Sequence, residues 1–337
     1  TSGVTLIAPG TLRLTRDGGA ITFNRALAGD GTVEINPQSA GTVTIAQSAV
    51  LSGNNVGFTG ALKLLSPVGT GTARLQTPTP AQLGSAVITV QPFNQLYVNA
   101  GTFNNPITLS GIGFADASAS IGALRVDGGA VWAGPITVAV GGARIGSHAS
   151  TGTIAGNISG GDVEFQVSNY NSSYTTILTG TNSYGTTTIG GGNTQTAGVP
   201  SMRVNVGNGG TTGTLGAGNV IINGDGANGV LGFDRSNGYT LAQTITGGGS
   251  NLARTFIDFD TLGAGFNTNA FSVTLGTAAS TTTGGQLRVG QARAGAILNV
   301  DSSMTGGIFR NGSIVLGTTN LNAGAVLNVA TINTTLA

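Results

Sequence analysis

Few side chains in this chain of 337 residues could carry out acid–base or nucleophilic chemistry. The single histidine, His148, lies in the small-residue segment Gly146–Ser150. A Ser/His/Asp triad would have to use this histidine, and no G-x-S-x-G nucleophile motif accompanies it. Because the chain has no cysteine, a thiolate nucleophile, a thiolate metal site and a disulfide framework are excluded. We therefore expect no catalytic residue and predict that the chain is not an enzyme.

Two pairs of carboxylates are spaced so that both members share one face of a strand, Asp162 with Glu164 and Asp258 with Asp260. Paired carboxylates can catalyse glycoside hydrolysis or bind calcium. The regular alternation around the first pair is typical of the water-facing side of an ordinary strand. Alternation is poorer around the second pair. Asp258 and Asp260 are therefore the candidates for a calcium site, and we otherwise expect no cofactor.

The remaining motifs are weak. Gly224–Gly229 matches G-x-G-x-x-G but opens no helix that would hold a pyrophosphate. The threonine-rich segments Thr186–Thr188 and Thr281–Thr283 resemble parts of ice-binding solenoids, which however need regular threonine ladders over many coils. A net charge of +1 with no cluster of Lys or Arg argues against nucleic acid as a partner. No apolar run reaches the roughly 18 residues of a transmembrane helix, so we expect no membrane insertion.

The composition indicates short strands and turns as the elements that position these residues. Glycine accounts for 59 residues and charged residues for only 7%, against about 25% in ordinary globular domains. The strong helix formers Lys, Glu and Gln are scarce, whereas Thr, Val, Ile, Asn and Gly dominate. A hydrophobic fraction of 39% argues against intrinsic disorder. These features predict an all-β fold.

A glycine or proline followed by a spacer and an apolar–basic–apolar triplet recurs seven times. Because neighbouring side chains of a strand point to opposite faces, each copy is expected to bury its apolar pair and expose its base to water. We interpret the bases as solubility devices that oppose lateral sheet pairing. They could instead pair with acids on adjacent coils or on neighbouring subunits. The bases of the seven copies are Arg13, Lys63, Arg74, Arg125, Arg144, Arg203 and Arg288.

Two further internal echoes support a repeat architecture. Phe103–Leu109 reappears 29 residues later as Trp132–Val138, with the aromatic residue, the proline and the strand at the same offsets. Phe23-Asn-Arg25 is echoed by Phe233-Asp-Arg235. Repeats of irregular length built from short strands predict coils of roughly 20 to 30 residues that bury their apolar faces by stacking. We predict a single continuous domain over 1–337, a parallel β-helix (β-solenoid) with irregular coil lengths; a β-sandwich would require longer strands and more aromatic residues.

The segment Leu178–Ile189, with the sequence LTGTNSYGTTTI, resembles the signature of autotransporter-associated β-strand repeats, also called passenger-associated transport repeats. The segments 206–220 and 231–236 are similar to the downstream part of the same family's repeat. Proteins of this family are bacterial, are secreted or displayed on the cell surface, and form right-handed β-helices. The resemblance implies a right-handed β-helix and an extracellular or cell-surface location after secretion.

We predict a structural protein, a solenoid subunit that joins copies of itself head-to-tail into a fibre, filament or surface layer. Strand-like sequence lies near both ends of the chain without a polar or helical cap, and an uncapped solenoid exposes unpaired backbone groups and apolar core. The alternative is an adhesin that resembles an autotransporter passenger and contacts a surface or a glycan. The residues expected to mediate self-association are Val4, Leu6, Leu12, Val326, Leu327 and Val329.

Overall fold

The structure is a computed structural model built from short strands joined by turns and loops. Its regular elements are strands and one 3-10 turn, η1 (Pro80–Gln82), within the described part of the chain. The chain divides into two compact units, the first comprising Thr1–Asn169, Tyr174–Thr176 and Gly180–Gly185, and the second comprising the remainder. The structure describes residues 3–15, 21–36, 47–65, 73–77, 79–116, 119–148, 150–167, 174–190, 200–223, 228–235, 237, 239–241, 243, 245–248, 254–259, 272–275, 286–292, 297–300, 315–316 and 326–329.

The first unit is built from short strands that pair in parallel with the equivalent strand of the next coil. One antiparallel pair, β14 with β15, interrupts this pattern. Strand β22 (Tyr174–Leu178) has its first three residues in the first unit and the others in the second. The other strands of the first unit are β1 (Val4–Leu6), β2 (Thr11–Leu14), β3 (Ile21–Phe23), β4 (Leu27–Gly29), β5 (Thr32–Ile35), β6 (Gln47–Leu51), β7 (Gly57–Phe58), β8 (Ala61–Leu64), β9 (Ala73–Thr77), β10 (Val87–Val90), β11 (Gln95–Val98), β12 (Thr102–Phe103), β13 (Ile107–Gly111), β14 (Ala115–Asp116), β15 (Ala119–Ser120), β16 (Leu124–Val126), β17 (Val131–Trp132), β18 (Ile136–Ser147), β19 (Gly152–Ile154), β20 (Ile158–Gly160) and β21 (Val163–Val167).

Two long rows of strands form in the first unit, and the 12-residue strand β18 belongs to both. Its first part pairs with β13 and β20, and its last part pairs with β16 and β21. Inward residues of successive coils are in register, so the core consists of apolar columns. One column runs through Leu12, Val33, Leu62, Ile88, Ile107, Ile136 and Ile158.

The aromatic echo lies in a shorter row of the first unit, in which β12, β17 and β19 follow one another. Strand β12 pairs with β17 so that Phe103 lies in register with Trp132. The two rings are stacked, with centroids 5.7 Å apart and an interplanar angle of 6°. Both side chains are fully buried. The 29-residue echo in the sequence therefore corresponds to one coil.

Glycines allow the coils to approach closely at one corner. A Cβ added at Gly156 would lie 1.9 Å from the carbonyl oxygen of Gly134 in the preceding coil. A Cβ added at Gly180 would in turn lie 2.4 Å from the carbonyl oxygen of Gly156. Real Cβ atoms do not approach carbonyl oxygens this closely, so a residue without a side chain is required there. Recurrence of this requirement from coil to coil accounts for part of the high glycine content.

The second unit also consists of parallel rows of strands in the part that the structure describes. Strands β23, β25 and β28 form one row, β24, β26, β29, β31 and β33 a second, and β27, β30, β32 and β34 a third. Val204 lies in register with Leu231, and both side chains are buried. The strands of this unit are β23 (Thr187–Ile189), β24 (Pro200–Val206), β25 (Val220–Asn223), β26 (Asn228–Phe233), β27 (Tyr239–Leu241), β28 (Ile245–Gly248), β29 (Arg254–Phe259), β30 (Ser272–Leu275), β31 (Gln286–Ala292), β32 (Ile297–Val300), β33 (Val315–Leu316) and β34 (Val326–Val329).

The predicted all-β class and the parallel β-solenoid are confirmed. Coil length is irregular, as predicted: hydrogen bonds between coils join residues from 19 to 30 positions apart in the sequence. The predicted single continuous domain over 1–337 stays a prediction.

Candidate functional site

The first coil, made by β1, β2 and β3, has an open edge. Strand β1 pairs with β4, β2 with β5 and β3 with β6, always on the same side of the coil. Among the described residues, no strand pairs with the opposite edge of any of the three. Backbone N–H and C=O groups along such an edge are a template for pairing with another chain.

Apolar core is also uncovered at this edge. Val4, Leu6 and Leu12, three of the predicted self-association residues, are only half-buried. Leu27, which is in register with Val4, is only 2% exposed, and Val33, in register with Leu12, is fully buried. The difference arises because the second coil has neighbours on both sides. The structure thus brings these three predicted residues together at one edge of the first unit.

The other three predicted self-association residues, Val326, Leu327 and Val329, all lie on β34. This strand pairs with β32, with Val326 in register with Ile297. No strand pairs with the other edge of β34 in the described part of the second unit. The backbone of β34 therefore has the same one-sided pairing as the strands of the first coil.

Two of the seven bases of the repeated triplet form ion pairs with acids on the adjacent coil. Arg13 lies in register with Glu34 and pairs with it, with an N–O distance of 2.7 Å. Arg144 lies in register with Glu164 and binds both carboxylate oxygens, at 3.0 and 2.9 Å. Pairing with acids on adjacent coils, one of the two interpretations of the bases, is confirmed at these positions. Glu164 is therefore engaged by Arg144 rather than forming a joint acidic site with Asp162.

For Arg125 the prediction of a base exposed to water is wrong. Its side chain is on the outward face of β16, yet Arg125 is only 6% exposed. The guanidinium pairs with Asp127, with Nε 2.7 Å from Oδ2, and lies 4.1 Å from the centre of the Tyr97 ring. The segment before β16 is also buried: the Gly122 carbonyl accepts a hydrogen bond from the buried Gln95 side chain, and the Ile121 and Phe114 side chains are fully buried.

His148 adjoins the same cluster through its backbone. The His148 N–H donates to Oδ1 of Asp127 at 2.6 Å. The imidazole is half-buried in the turn after β18. No group of three or more His, Cys, Asp or Glu side chains that could hold a metal ion occurs in the described residues. Of the second carboxylate pair, Asp258 lies on β29, whereas Asp260 is outside the described residues, as are Thr281–Thr283 and part of Gly224–Gly229.

Arg235, in the second unit, holds a glycine-rich loop in place. Its guanidinium donates to the carbonyl oxygens of Gly213 and Thr211, the latter at 2.6 Å. It also lies 5.2 Å from the centre of the Tyr239 ring. Burial is the main cause that lowers the pKa of Arg235 and raises the pKa of Tyr239. The hydroxyl of Tyr239 accepts a hydrogen bond from the backbone N–H of Leu215.

The sequence pointed to Phe233-Asp-Arg235 as an echo but did not reveal this role. Arg235 is buried, whereas Arg25 in the matching segment Phe23-Asn-Arg25 is exposed. The two segments therefore share a sequence pattern without sharing an environment. The signal that distinguishes them is the glycine-rich loop 207–213, whose carbonyl groups Arg235 binds.

Comparison with known protein families, curated proteins and solved structures gives no match to this chain. The resemblance of Leu178–Ile189 to autotransporter-associated repeats therefore stays an expectation. None of the helices in the described part of the chain is long and apolar enough to cross a membrane.

Proposed function

We propose that this chain is a structural protein whose coils stack head-to-tail on those of further copies to build a fibre, filament or surface layer. The observation that supports this proposal is the open edge of the first coil, where unpaired strand edges coincide with half-exposed apolar residues. We further propose that assembly takes place outside the bacterial cell or at its surface. That location rests on the resemblance of Leu178–Ile189 to secreted repeat proteins.

Stacking of a second copy on the first coil would both pair the open backbone groups and cover the half-exposed apolar side chains. A strand added in parallel to β1, β2 or β3 would pair the open backbone groups, as in strand addition to other sheets. It would also cover Val4, Leu6 and Leu12, and full burial of such a side chain stabilises by about 1.5–3 kcal/mol. Leu27 and Val33, which are in register with Val4 and Leu12, are buried because a neighbouring coil covers them.

The proposal is tested with Leu12→Lys, which places a charge on the open edge. Val140→Lys is the matched control, because Val140 is fully exposed at a bulge of β18 away from the first coil. We expect the sedimentation coefficient of the unaltered chain and of Val140→Lys to rise with concentration. Leu12→Lys should remain monomeric while keeping its far-UV circular dichroism spectrum.

Electron microscopy of the same samples shows whether association is end-to-end. Filaments or extended stacks from the unaltered chain and isolated particles from Leu12→Lys would support the proposal. Monomers of the unaltered chain at every concentration would overturn it. Association of Leu12→Lys equal to that of Val140→Lys would also overturn it, because the open edge would then not be the contact.

A further inference from the structure

A pocket of about 230 Å³ opens on the surface of the first unit. It lies where two coils meet, between the 3-10 turn η1 on one side and the turn that follows β12 on the other. This volume is smaller than the roughly 300–1,000 Å³ of pockets that take drug-sized ligands. Its size therefore suits a single ring rather than an extended molecule. The lining residues are Pro80, Gly84, Ser85, Thr102, Asn104, Asn105 and Pro106.

The wall between the two coils is fixed by Asn105, which is buried. Its Nδ2 donates to the carbonyl oxygens of Gly84 and Ala86, at 3.1 and 2.9 Å. These bonds tie the turn after β12 to the segment that precedes β10 in the preceding coil. Phe103, stacked on Trp132, anchors the same turn from within the core. The pocket is thus formed before any ligand arrives, which lowers the cost of binding.

The opposite wall is fixed by hydrogen bonds at both ends of η1. The backbone N–H of Thr79 donates to Oε1 of Gln82 at 3.2 Å, as part of a capping box. The buried Asn55 donates through Nδ2 to the carbonyl oxygen of Gln82 at 2.6 Å. Asn55 also accepts a hydrogen bond from the Leu27 N–H, so η1 is tied to the two coils below it.

Three exposed side chains of the lining offer hydrogen-bonding groups, the hydroxyls of Ser85 and Thr102 and the carboxamide of Asn104. None of these three side chains makes a hydrogen bond to another residue that the structure describes. Pro80 and Pro106 add apolar C–H surface beside them. No lining residue is ionisable. This combination of neutral donors and acceptors with C–H surface matches the hydroxyl groups and ring carbons of an uncharged sugar.

We propose that this pocket binds one pyranose unit of a neutral glycan, with Ser85, Thr102 and Asn104 as its hydrogen-bonding residues. The inference does not depend on self-association, since the pocket lies within one unit and away from the first coil. A single sugar held by a few hydrogen bonds corresponds to a dissociation constant on the order of 1 mM. Repetition of the pocket along an assembly would raise the avidity for a polymeric glycan.

Saturation-transfer difference NMR on the full chain tests the proposal. The probes are the methyl glycosides of glucose, galactose, mannose and N-acetylglucosamine, with glucuronate as the charged comparison. The pocket variant is Thr102→Val, and its matched control is Thr108→Val, an exposed threonine on β13 outside the pocket. Asn104→Ala serves as a second pocket variant. Urea unfolding of each variant checks that the fold is intact.

We expect at least one neutral glycoside to show saturation transfer that titrates in the millimolar range. Thr102→Val and Asn104→Ala should each bind about 2- to 13-fold more weakly, the change that corresponds to one lost hydrogen bond. Thr108→Val should bind like the unaltered chain. Absence of transfer to every neutral glycoside overturns the proposal. Equal binding by Thr102→Val and Thr108→Val, or tighter binding of glucuronate, also overturns it.

Discussion

Replacing Phe103 with alanine tests whether stacking of aromatic residues between coils stabilises the solenoid. The Phe103 side chain is fully buried, and its ring is stacked on Trp132 at 5.7 Å. Truncation of a buried phenylalanine to alanine costs about 3–5 kcal/mol. About 0.5–1.5 kcal/mol of this belongs to the contact between the rings. Phe103→Leu, which keeps most of the volume, separates the ring contact from the loss of buried area.

Trp132 is the only tryptophan of the chain, so its fluorescence reports on this coil. Coils of a solenoid contact only their neighbours and can unfold in parts, which makes a local probe necessary. We expect the Trp132 emission of Phe103→Ala to shift to longer wavelength at a lower urea concentration than that of the unaltered chain. The control is Phe93→Ala, because Phe93 is 49% exposed and its truncation should cost less than about 1 kcal/mol. A cost for Phe103→Ala no greater than that of the control would refute the reasoning.

Two further predictions concern the close approach of the coils and the burial of Tyr239. Gly156→Ala forces a Cβ against the Gly134 carbonyl oxygen and should lower the free energy of unfolding in urea by about 1–3 kcal/mol. For Gly141→Ala, where no atom lies within 4 Å of the added Cβ, the free energy of unfolding should change by less than about 0.5 kcal/mol. Equal changes in the two variants would contradict the close approach of the coils at Gly156. Burial raises the pKa of Tyr239, so the folded state holds this proton more tightly and the free energy of unfolding falls as pH rises above about 10. In urea unfolding between about pH 9 and about pH 11, Tyr239→Phe should lose less stability than the unaltered chain, and an equal loss would show that Tyr239 does not contribute.

The inward half of the fold could be predicted from the sequence because it repeats with the coil. Phe103 and Trp132 occupy equal offsets in two successive repeats, and parallel pairing in register then places one ring on the other. The same reasoning predicts apolar columns wherever an apolar–basic–apolar triplet recurs.

The environments of the outward side chains could not be predicted in the same way. Arg125 has the pattern of an exposed strand residue, yet it is buried against Asp127 and the Tyr97 ring. Arg235 binds carbonyl groups 22 and 24 residues away, and backbone acceptors leave no mark in the sequence. The pocket beside Asn104 depends on Asn104 and Asn105, where the echo 29 residues later has Ala133 and Gly134.

The seven bases of the repeated triplet show that the outward half of this solenoid carries its differences between coils. Arg13, Arg144 and Arg125 hold the same position in their triplets, so the fold alone does not distinguish them. The neighbour in the next coil does: Arg13 meets Glu34 and Arg144 meets Glu164, whereas Arg125 is paired within its own coil and covered. Inward residues are constrained by stacking in every coil, and outward residues can change one coil at a time without loss of register. Outward residues can therefore vary between coils while the inward columns are kept, and the neutral pocket is a place where this chain departs from its own repeat.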